Sequence, residues 1–343
     1  MYIKLLLPIF LFLLSCKDNT DTTNKPFIMS YEVPEPIVLK SDKMISAIED
    51  TVFFKEVNLT TKGNNIVITD SKRSRFIVTD TNFKLKYIKG QRGSGPGELK
   101  YAQYPIIIDT TIFISDQGNM RVNVYGLKSG SYIKTYRHQD SPNLTSLSID
   151  NDTNFYFGTQ PYKDKPSIMA ISKTGDHKRI GEIYPYKKNP KLEYNRNYKH
   201  VVTTPEGLII AIGWTIPFID IYDKTGKKLV QYDLSGYKAF KDALLEIDEM
   251  IKKDPDLEYS MHPIILGAYY RNGRLYLSLT NPIIEIFEFE ISTEKCLLKN
   301  AFSLDTDSKE MMRSTLFFVD EKNEKIYIQY VASANIHIFK LPK

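Results

Sequence analysis

Short apolar runs that alternate with polar turns are the main pattern along this chain. From about residue 37 onward, stretches rich in Ile, Val, Phe and Tyr are separated by turns rich in Asp, Asn and Gly. Short runs of this composition are typical of β-strands, and turn residues between them favour antiparallel pairing of neighbouring strands. The pattern therefore predicts an all-β body.

One unit of this pattern recurs along the chain. It consists of a strand, a polar turn, a second strand, a turn with Gly or Asn, and a third strand. The unit occurs six times, in residues 66–89, 111–135, 154–183, 207–234, 274–302 and 325–341. Repeats of roughly fifty residues are typical of radial blades, an arrangement that leaves only short, protected strand edges. We therefore expect a six-bladed β-propeller over residues 36–343.

The two ends of the body are expected to share the last blade. The sixth repeat ends shortly after Lys340, which is too early for an outermost strand. An N-terminal strand, residues 37–40, is predicted to complete this blade and to join the chain ends by hydrogen bonds.

Helical periodicity appears once, in residues 237–259. Apolar residues recur there at steps of four, three and four: Phe240, Leu244, Ile247 and Ile251. This spacing places them on one helix face, and Asp254-Pro255 predicts the end of the helix. We expect one helical insertion, held by burial of that face over the fourth and fifth blades.

The N-terminus has the pattern of an export signal. Lys4 precedes an apolar run, residues 5–14, which is shorter than the roughly 20 residues that span a bilayer. The sequence Leu13-Leu14-Ser15-Cys16 resembles the bacterial lipobox, in which the cysteine is acylated and becomes the first mature residue. The alternative is an ordinary secretory signal that happens to contain a cysteine.

The lipobox resemblance implies a processed, membrane-anchored protein. Residues 1–15 would be a lipoprotein signal peptide, Cys16 the lipidation site, and the polar residues 16–35 a flexible tether. A diacylglyceryl group supplies the two acyl chains that stable anchoring requires. Lys17, in place of an aspartate, resembles the pattern of outer-membrane lipoproteins. We expect a cell-envelope protein on the outer membrane, either periplasmic or surface-exposed.

Cysteine count and charge narrow the picture further. Cys296 is the only cysteine besides Cys16, so no intramolecular disulfide is expected in the lipidated chain. Removal of the signal takes one lysine from 46 basic residues, which leaves 45 against 41 acidic ones and a formal charge of +4. Because this charge is small for a chain of this length, no nucleic-acid partner is expected.

Two motifs carry a family resemblance. The loop from Gly90 to Leu99, GQRGSGPGEL, is similar to the G-x-G-P-G-E-F loop of NHL repeats, and Asp116 to Tyr125, DQGNMRVNVY, is similar to their D-x-x-N-x-R-V-x-V-F strand pair. Leu99 and Tyr125 replace the usual phenylalanines. The chain thus resembles the six-bladed NHL-like or TolB-like propeller lipoproteins of Gram-negative bacteria. The strong motifs cover only residues 90–125, and the other blades match by pattern.

The sequence contains few motifs that indicate nucleotide binding, metal binding or catalysis. The glycine loop lacks both the G-x-G-x-x-G and the Gly-Lys-Ser/Thr spacing, so it is interpreted as a tight connection between blades. The five histidines show no short metal-binding spacing. Cys296 lies in a strand-like run and is interpreted as a core residue, and no G-x-S-x-G elbow is present.

A candidate binding face follows from propeller topology. The link from one blade to the next runs on the same side as the link between the second and third strands of a blade. That side collects residue types that dominate binding hot spots, whereas the opposite turns contain Asp, Asn, Lys and Gly. The candidate residues are Arg75, Arg92, Tyr104, Arg121, Tyr162, His200, Trp214, His262, Asn281 and Arg313. The alternative is that the arginines only bridge neighbouring blades.

Two functions remain open from the sequence. The first is a non-catalytic binding or scaffolding lipoprotein without a cofactor, whose partner is a glycan, a peptide or an envelope protein. The second is a metal-dependent enzyme of the lactonase or lyase type, in which ligands from several blades, as in calcium-dependent lactonases of similar fold, converge on the channel.

Overall fold

The structure is a computed structural model that describes residues 28–138, 146–159, 165–184, 196–259, 262–279, 285–305, 316–329 and 335–342. The described chain begins with strands β1 (Ile28–Ser30) and β2 (Ile37–Ile45) and a small hairpin of β3 (Ala47–Ile48) and β4 (Val52–Phe53). Six blades follow from residue 57 onward.

Blades 1 to 4 are four-stranded antiparallel sheets in which strand order follows chain order. Blade 1 contains β5 (Val57–Lys62), β6 (Asn65–Asp70), β7 (Arg75–Thr79) and β8 (Leu85–Lys89). Blade 2 contains β9 (Ala102–Ile108), β10 (Thr111–Asp116), β11 (Arg121–Gly126) and β12 (Tyr132–Arg137). Blade 3 contains β13 (Ser146–Ile149), β14 (Phe155–Gly158), β15 (Ile168–Ile171) and β16 (His177–Ile180). Blade 4 contains β17 (Lys199–Thr203), β18 (Ile209–Gly213), β19 (Phe218–Tyr222) and β20 (Lys228–Asp233).

A helix separates blade 4 from the last two blades. The helix α1 (Lys238–Lys253) is followed by a 3-10 turn, Pro255–Tyr259. Blade 5 contains β21 (Ile265–Arg271), β22 (Arg274–Leu279), β23 (Glu285–Ile291) and β24 (Lys295–Asp305). Blade 6 contains β25 (Leu316–Asp320), β26 (Lys325–Gln329), β27 (Ile336–Lys340) and, as its outer strand, β2.

The innermost strands close a ring. Each of β5, β9, β13, β17 and β21 contacts the inner strand of the next blade, and β25 contacts β5 again. The sheets pack face to face through buried aliphatic and aromatic side chains; Phe76 of blade 1, for example, lies 4.8 Å from Tyr125 of blade 2 between ring centroids. The predicted six-bladed β-propeller is confirmed.

Closure by the N-terminal strand is also confirmed, but different residues perform it. Ser41–Ile45 pair antiparallel with Phe339–Ile336 and complete blade 6. The predicted residues, Ile37–Lys40, pair instead with the edge of blade 5, in parallel with Phe302–Asp305. The sequence pattern did not show this because β2 is long enough to serve two blades in succession, first β24 and then β27, with a register shift between Ser41 and Lys43 in the second pairing.

A short strand precedes β2 in the described chain. Ile28–Ser30 fall within the predicted tether, and they pair in parallel with Lys295–Leu297 of blade 5. The predicted signal peptide, Cys16 and the tether up to residue 27 lie outside the described residues. None of the described helices is both long and apolar enough to cross a membrane.

The helical insertion forms where its periodicity predicts it. Phe240 is fully buried and its ring centroid lies 5.7 Å from that of Phe287 in blade 5. Leu244 and Ile247 are partly buried against the same cluster, which also contains Ile219 and other residues of blade 4. The apolar face of α1 therefore fills the space between blades 4 and 5.

Candidate functional site

The antiparallel order of the strands gives the propeller two distinct ends. We call link face the end where the connections between blades and between second and third strands lie, and hairpin face the opposite end. Seven predicted site residues lie on the link face: Arg75, Arg92, Tyr104, Arg121, His200, Trp214 and His262. Tyr162, Asn281 and Arg313 lie outside the described residues.

Arg121 holds the glycine loop. Its side chain is only 3 % exposed, and its Nε donates to Asp116 Oδ2 at 2.9 Å. The remaining guanidinium nitrogens donate to the carbonyl oxygens of Ser94 (2.9 Å), Gly95 (3.0 Å) and Glu98 (2.6 Å). Because these donors all point at the loop, Arg121 positions the link between blades 1 and 2 and offers no exposed surface to a ligand.

The rest of the loop is held in the same way. Asn119 donates to the carbonyl of Gly93, Asn123 to that of Glu98, and the Tyr125 hydroxyl to that of Gly97. The Glu98 carboxylate accepts the Gly95 N–H at 2.7 Å and the Gln91 amide, and these hydrogen bonds lower the pKa of Glu98. The glycine loop is therefore a tight connection between blades whose amides and carbonyls are used internally.

Arg75 and Arg92 differ in their surroundings. Arg75 is about one-fifth exposed and donates to the carbonyl oxygen of Phe53 at 2.8 Å and to Asp70 Oδ2 at 3.3 Å. Arg73 donates to the same two acceptors. Arg92, in contrast, is exposed on the glycine loop. Arg75 thus ties blade 1 to the hairpin of β3 and β4, whereas Arg92 is accessible.

A polar and aromatic group lies where blades 1 and 2 meet the channel. The Glu56 carboxylate, 28 % exposed, accepts hydrogen bonds from the Tyr101 hydroxyl and from Gln103 Nε2 (3.2 Å), and Lys72 Nζ lies 3.3 Å from its second oxygen. Burial, with the adjacent Glu56 carboxylate, raises the pKa of Tyr101. We call Glu56, Lys72, Tyr101, Gln103 and Tyr104 the mouth cluster.

Tyr104 is the strained member of the mouth cluster. Its backbone has a φ of +46°, in the left-handed region that a bulky residue rarely adopts. The register of β9 against β10 shifts between Phe113 and Ser115, which marks a β-bulge at this point. The ring is partly buried against the cluster between blades 2 and 3, and burial raises the pKa of its hydroxyl.

On blade 4, Trp214 and His200 lie together. The two rings are 5.9 Å apart in an edge-to-face arrangement, and Tyr198 packs 5.4 Å from Trp214 on another side. His200 Nε2 lies 3.2 Å from the carbonyl oxygen of Ile265, the first residue of blade 5. His200 is buried and joins two blades, whereas Trp214 is partly exposed. His262 Nε2 lies 2.7 Å from the carbonyl oxygen of Leu257, so it closes the turn that follows α1.

A buried ion pair within blade 4 holds the link that arrives from blade 3, because Lys199 also donates to the carbonyl of Glu182. Lys199 Nζ lies 3.1 Å from Asp220 Oδ2, and both side chains are 1 % exposed. The Asp220 carboxylate also accepts hydrogen bonds from Tyr184, Tyr222 and Gln231. Burial lowers the pKa of Lys199, while Asp220 opposes this shift. The fully partnered carboxylate stabilises this junction.

Metal and thiol chemistry have few candidates here. Across the part of the chain that the structure describes, no group of three or more His, Cys, Asp or Glu side chains is placed to hold a metal ion. Cys296 is fully buried in blade 5, and burial raises the pKa of its thiol to about 12. A thiol in this state is a core residue rather than a nucleophile.

The sequence did not single out Glu56, Tyr101, Gln103, Lys199 or Asp220. Tyr101 and Gln103 lie beside Tyr104 at the start of an inner strand. This position is the one feature of the sequence that could have identified them as site residues. Glu56 and Asp220 have no local signature because their partners are distant along the chain.

The chain shares its fold with known propellers. Residues 49–215 match a family model described as a 6-bladed beta-propeller. A crystal structure of a "Putative exported protein" from Bacteroides fragilis is 14% identical, with a TM-score of 0.54 over 90% of this chain and 99% of that chain. The β-propeller domain of Cps50 (Swd1) from Myceliophteria thermophila is 10% identical, with a TM-score of 0.57 over 89% and 100%. A chain of the Mitotic Checkpoint Complex is 9% identical, with a TM-score of 0.52 over 100% and 98%. No curated protein matches the sequence significantly.

Proposed function

We propose that this chain is an NHL-like propeller lipoprotein of the cell envelope that binds a glycan without catalysis, at the channel mouth on the link face. The observation that carries this proposal is the strained backbone of Tyr104 at a bulge in β9. A bulky residue in this conformation costs of order 1–3 kcal/mol and persists where the surrounding structure enforces it, often at ligand sites. The bulge redirects a tyrosine at the point where Glu56 and Gln103 also reach the channel.

The chemistry of the mouth cluster favours a sugar. Partly exposed tyrosine rings suit the apolar face of a pyranose, and the amide of Gln103 and the carboxylate of Glu56 suit its hydroxyl groups. Lys72, 57 % exposed, and the exposed Arg92 add positive charge at the same end, which suits an acidic sugar. Trp214 adds a second aromatic platform across the channel on blade 4.

The envelope location rests on two separate supports. The lipobox-like sequence that ends at Cys16 predicts lipidation, and a protein of similar fold from Bacteroides fragilis is described as exported. The hydrogen-bond set around Gly90 to Leu99 supports the NHL-like type, because Asn119, Arg121 and Asn123 of the second motif each donate to carbonyl oxygens of the loop.

A glycan array tests the binding proposal. The mature chain without its lipid is applied to envelope polysaccharides, peptidoglycan fragments and acidic oligosaccharides, and the best hit is measured by titration. We expect Gln103→Ala and Trp214→Ala to weaken binding at least about tenfold, near 1.4 kcal/mol, because each removes a side chain at the mouth. Lys224→Ala on the hairpin face is the matched control and should bind as the parent does.

Two outcomes would contradict the proposal. One is the absence of any glycan hit, and the other is an equal loss of binding in the mouth variants and in Lys224→Ala. Thermal stabilisation by calcium or zinc, reversed by a chelator, would instead favour the metal-dependent enzyme.

The lipid anchor has a separate test. Replacement of Cys16→Ser should move the protein from the membrane to the soluble envelope fraction, because the acylated thiol is lost. Retention in the membrane would contradict lipidation.

A further inference from the structure

The hairpins between third and fourth strands seal most of the described junctions between blades. At blades 1 and 2, the Tyr87 hydroxyl of β8 donates to the carbonyl of Leu127 at 2.5 Å. At blades 3 and 4, Lys178 of β16 donates to the carbonyl of Thr225. At blades 4 and 5, the Tyr232 hydroxyl of β20 donates to the carbonyl of Ser292 at 2.9 Å. In each case the outer strand of one blade is covered by the hairpin of the next.

The junction of blades 2 and 3 departs from this arrangement. A groove of about 580 Å³ separates the outer strand β12 from the hairpin of blade 3. Its lining residues are Lys134, Thr135, Tyr136, Arg137, Lys173, Thr174, Gly175 and His177. The hairpin has the same Lys-Thr-Gly sequence here, at residues 173–175, as the sealed hairpin of blade 4 has at residues 224–226. The open groove is therefore a property of the junction and not of the turn sequence.

The groove runs along a strand edge. Residues 134–137 are consecutive in β12, and all four line it. Because side chains alternate between the two faces of a strand, a groove that touches four consecutive residues must follow the edge of that strand. β12 pairs with β11 along one edge only. Along its other edge, the backbone N–H and C=O of every second residue have no strand partner and face the groove.

The groove is positively charged. Lys134, Arg137 and Lys173 are exposed, His177 lies beside them, and none of the lining residues is acidic. Among the ion pairs of the described residues, none involves Lys134, Arg137 or Lys173. The nearby Asp176 does not line the groove; its Oδ2 accepts hydrogen bonds from Thr174 and Ser172 within its own turn, which lower the pKa of its carboxyl.

We propose that this groove binds an extended acidic peptide segment, which adds to β12 as a fifth strand of blade 2. The free strand edge supplies main-chain hydrogen bonds, which is how extended peptides join a sheet. The cations supply the preference for glutamate or aspartate. This site is separate from the mouth cluster and does not depend on the glycan proposal.

The directions of the β12 side chains predict the spacing of acidic residues in the peptide. The Tyr136 ring lies 4.6 Å from Phe155 of blade 3, and Lys134 Nζ lies 4.5 Å above the Tyr136 ring. Lys134 and Tyr136 therefore face blade 3, where Lys173 and His177 form the opposite wall. In an added strand, every second side chain faces the same way, so acidic residues at alternate positions would lie between Lys134 and Lys173.

The test uses a fluorescein-labelled decapeptide of alternating Glu and Thr, titrated with the mature chain and followed by fluorescence anisotropy. We expect saturable binding that weakens at least about tenfold in the double variant Lys134→Glu/Lys173→Glu. The matched control is Lys224→Glu, which reverses the charge at the equivalent position of the sealed hairpin and should bind within about twofold of the parent. Because all three positions are exposed, the variants should melt as the parent does.

A second peptide separates strand addition from simple charge attraction. The same Glu-Thr sequence with every backbone nitrogen methylated has the same charge but lacks all backbone N–H groups, so it should bind at least about tenfold more weakly. Equal binding of the two peptides, equal loss in Lys224→Glu, or no binding of the Glu-Thr peptide would overturn the proposal. Tighter binding of a sulfated polysaccharide with the same dependence on Lys134 and Lys173 would overturn it in favour of a glycan. Gln103→Ala should leave peptide binding unchanged, which distinguishes this result from the outcome at the mouth.

Discussion

The junction of blades 2 and 3 and the junction of blades 3 and 4 use the same Lys-Thr-Gly hairpin to different effect. At blades 3 and 4 the hairpin packs onto β16, and on the link-face side the buried pair of Lys199 and Asp220 in blade 4 binds Glu182 and Tyr184 of the link from blade 3. At blades 2 and 3 the hairpin and β12 border an open groove. A short sequence can thus specify the turn without specifying what the turn packs against.

The difference lies in the strands that receive the hairpins. β16 presents the buried Ile180, and a Cβ on Gly226 would lie only 2.6 Å from Ile180 Cγ2. In contrast, a Cβ on Gly175 would meet nothing within 4 Å. The outer strand β12 presents exposed cations in place of an apolar contact, and like charges on the two walls favour an open junction.

The largest loss of stability should come from the junction of blades 5 and 6. These two blades are joined by the shared strand β2 and not by a hairpin. Deletion through Ser46 removes β2, including the buried Leu39 and Ile45, and exposes the edges of β24 and β27. The two buried side chains alone stabilise the fold by about 4–10 kcal/mol. We expect a fall in Tm of about 10 °C or more by calorimetry, with aggregation.

The matched control is deletion through residue 27, which leaves all described strands intact. The two truncations should therefore differ strongly. If the deletion through Ser46 melts like this control, the shared strand does not hold the ring closed.

The next largest loss of stability should separate the sealed junction of blades 3 and 4 from the open junction of blades 2 and 3. Lys199→Met leaves the buried Asp220 carboxylate without its cation, which should lower the free energy of unfolding by about 3–5 kcal/mol. Lys134→Met at the open junction replaces an exposed side chain and should change it by less than about 0.5 kcal/mol. Urea unfolding followed by tryptophan fluorescence measures both, and similar values for the two variants would remove the energetic distinction between the junctions.

The smallest predicted effect compares the two hairpin glycines. Gly175 and Gly226 both have positive φ, +95° and +87°, so alanine at either position adds about 1–2 kcal/mol of backbone strain. Gly226→Ala also presses against Ile180, which adds about 1–3 kcal/mol. We expect Gly226→Ala to be the more destabilising in thermal unfolding. Equal losses would mean that the hairpin of blade 4 does not pack against β16 as described.

Much of the fold could be predicted from the chain. The alternation of apolar runs and turns indicated the blades, the steps between Phe240 and Ile251 indicated the helix, and the glycine loop from Gly90 to Leu99 indicated a link between blades. The role of Arg121 could not be predicted. Its exposure depends on where the carbonyls of the glycine loop lie in space, and the motif alone is compatible with either a ligand or a loop.

The site was less predictable than the fold. Tyr104 could be placed at the start of an inner strand, but its bulge and positive φ depend on pairing with β10. Glu56 precedes β5 in blade 1, and only the ring places it beside Tyr101 and Gln103 of blade 2. These contacts cross a blade boundary, so no local window of sequence contains them.

The sequence by itself determined the strands, their turns, the helix and the number of blades, because these depend on periodicity and on conformational preferences within a few residues. Only the tertiary structure decided that β2 serves two blades, that Arg121 is buried, and that one of two identical Lys-Thr-Gly turns borders an open groove. Each of these depends on which side chains a neighbouring blade presents. That information is distributed over residues far apart in the chain and is brought together only when the ring closes.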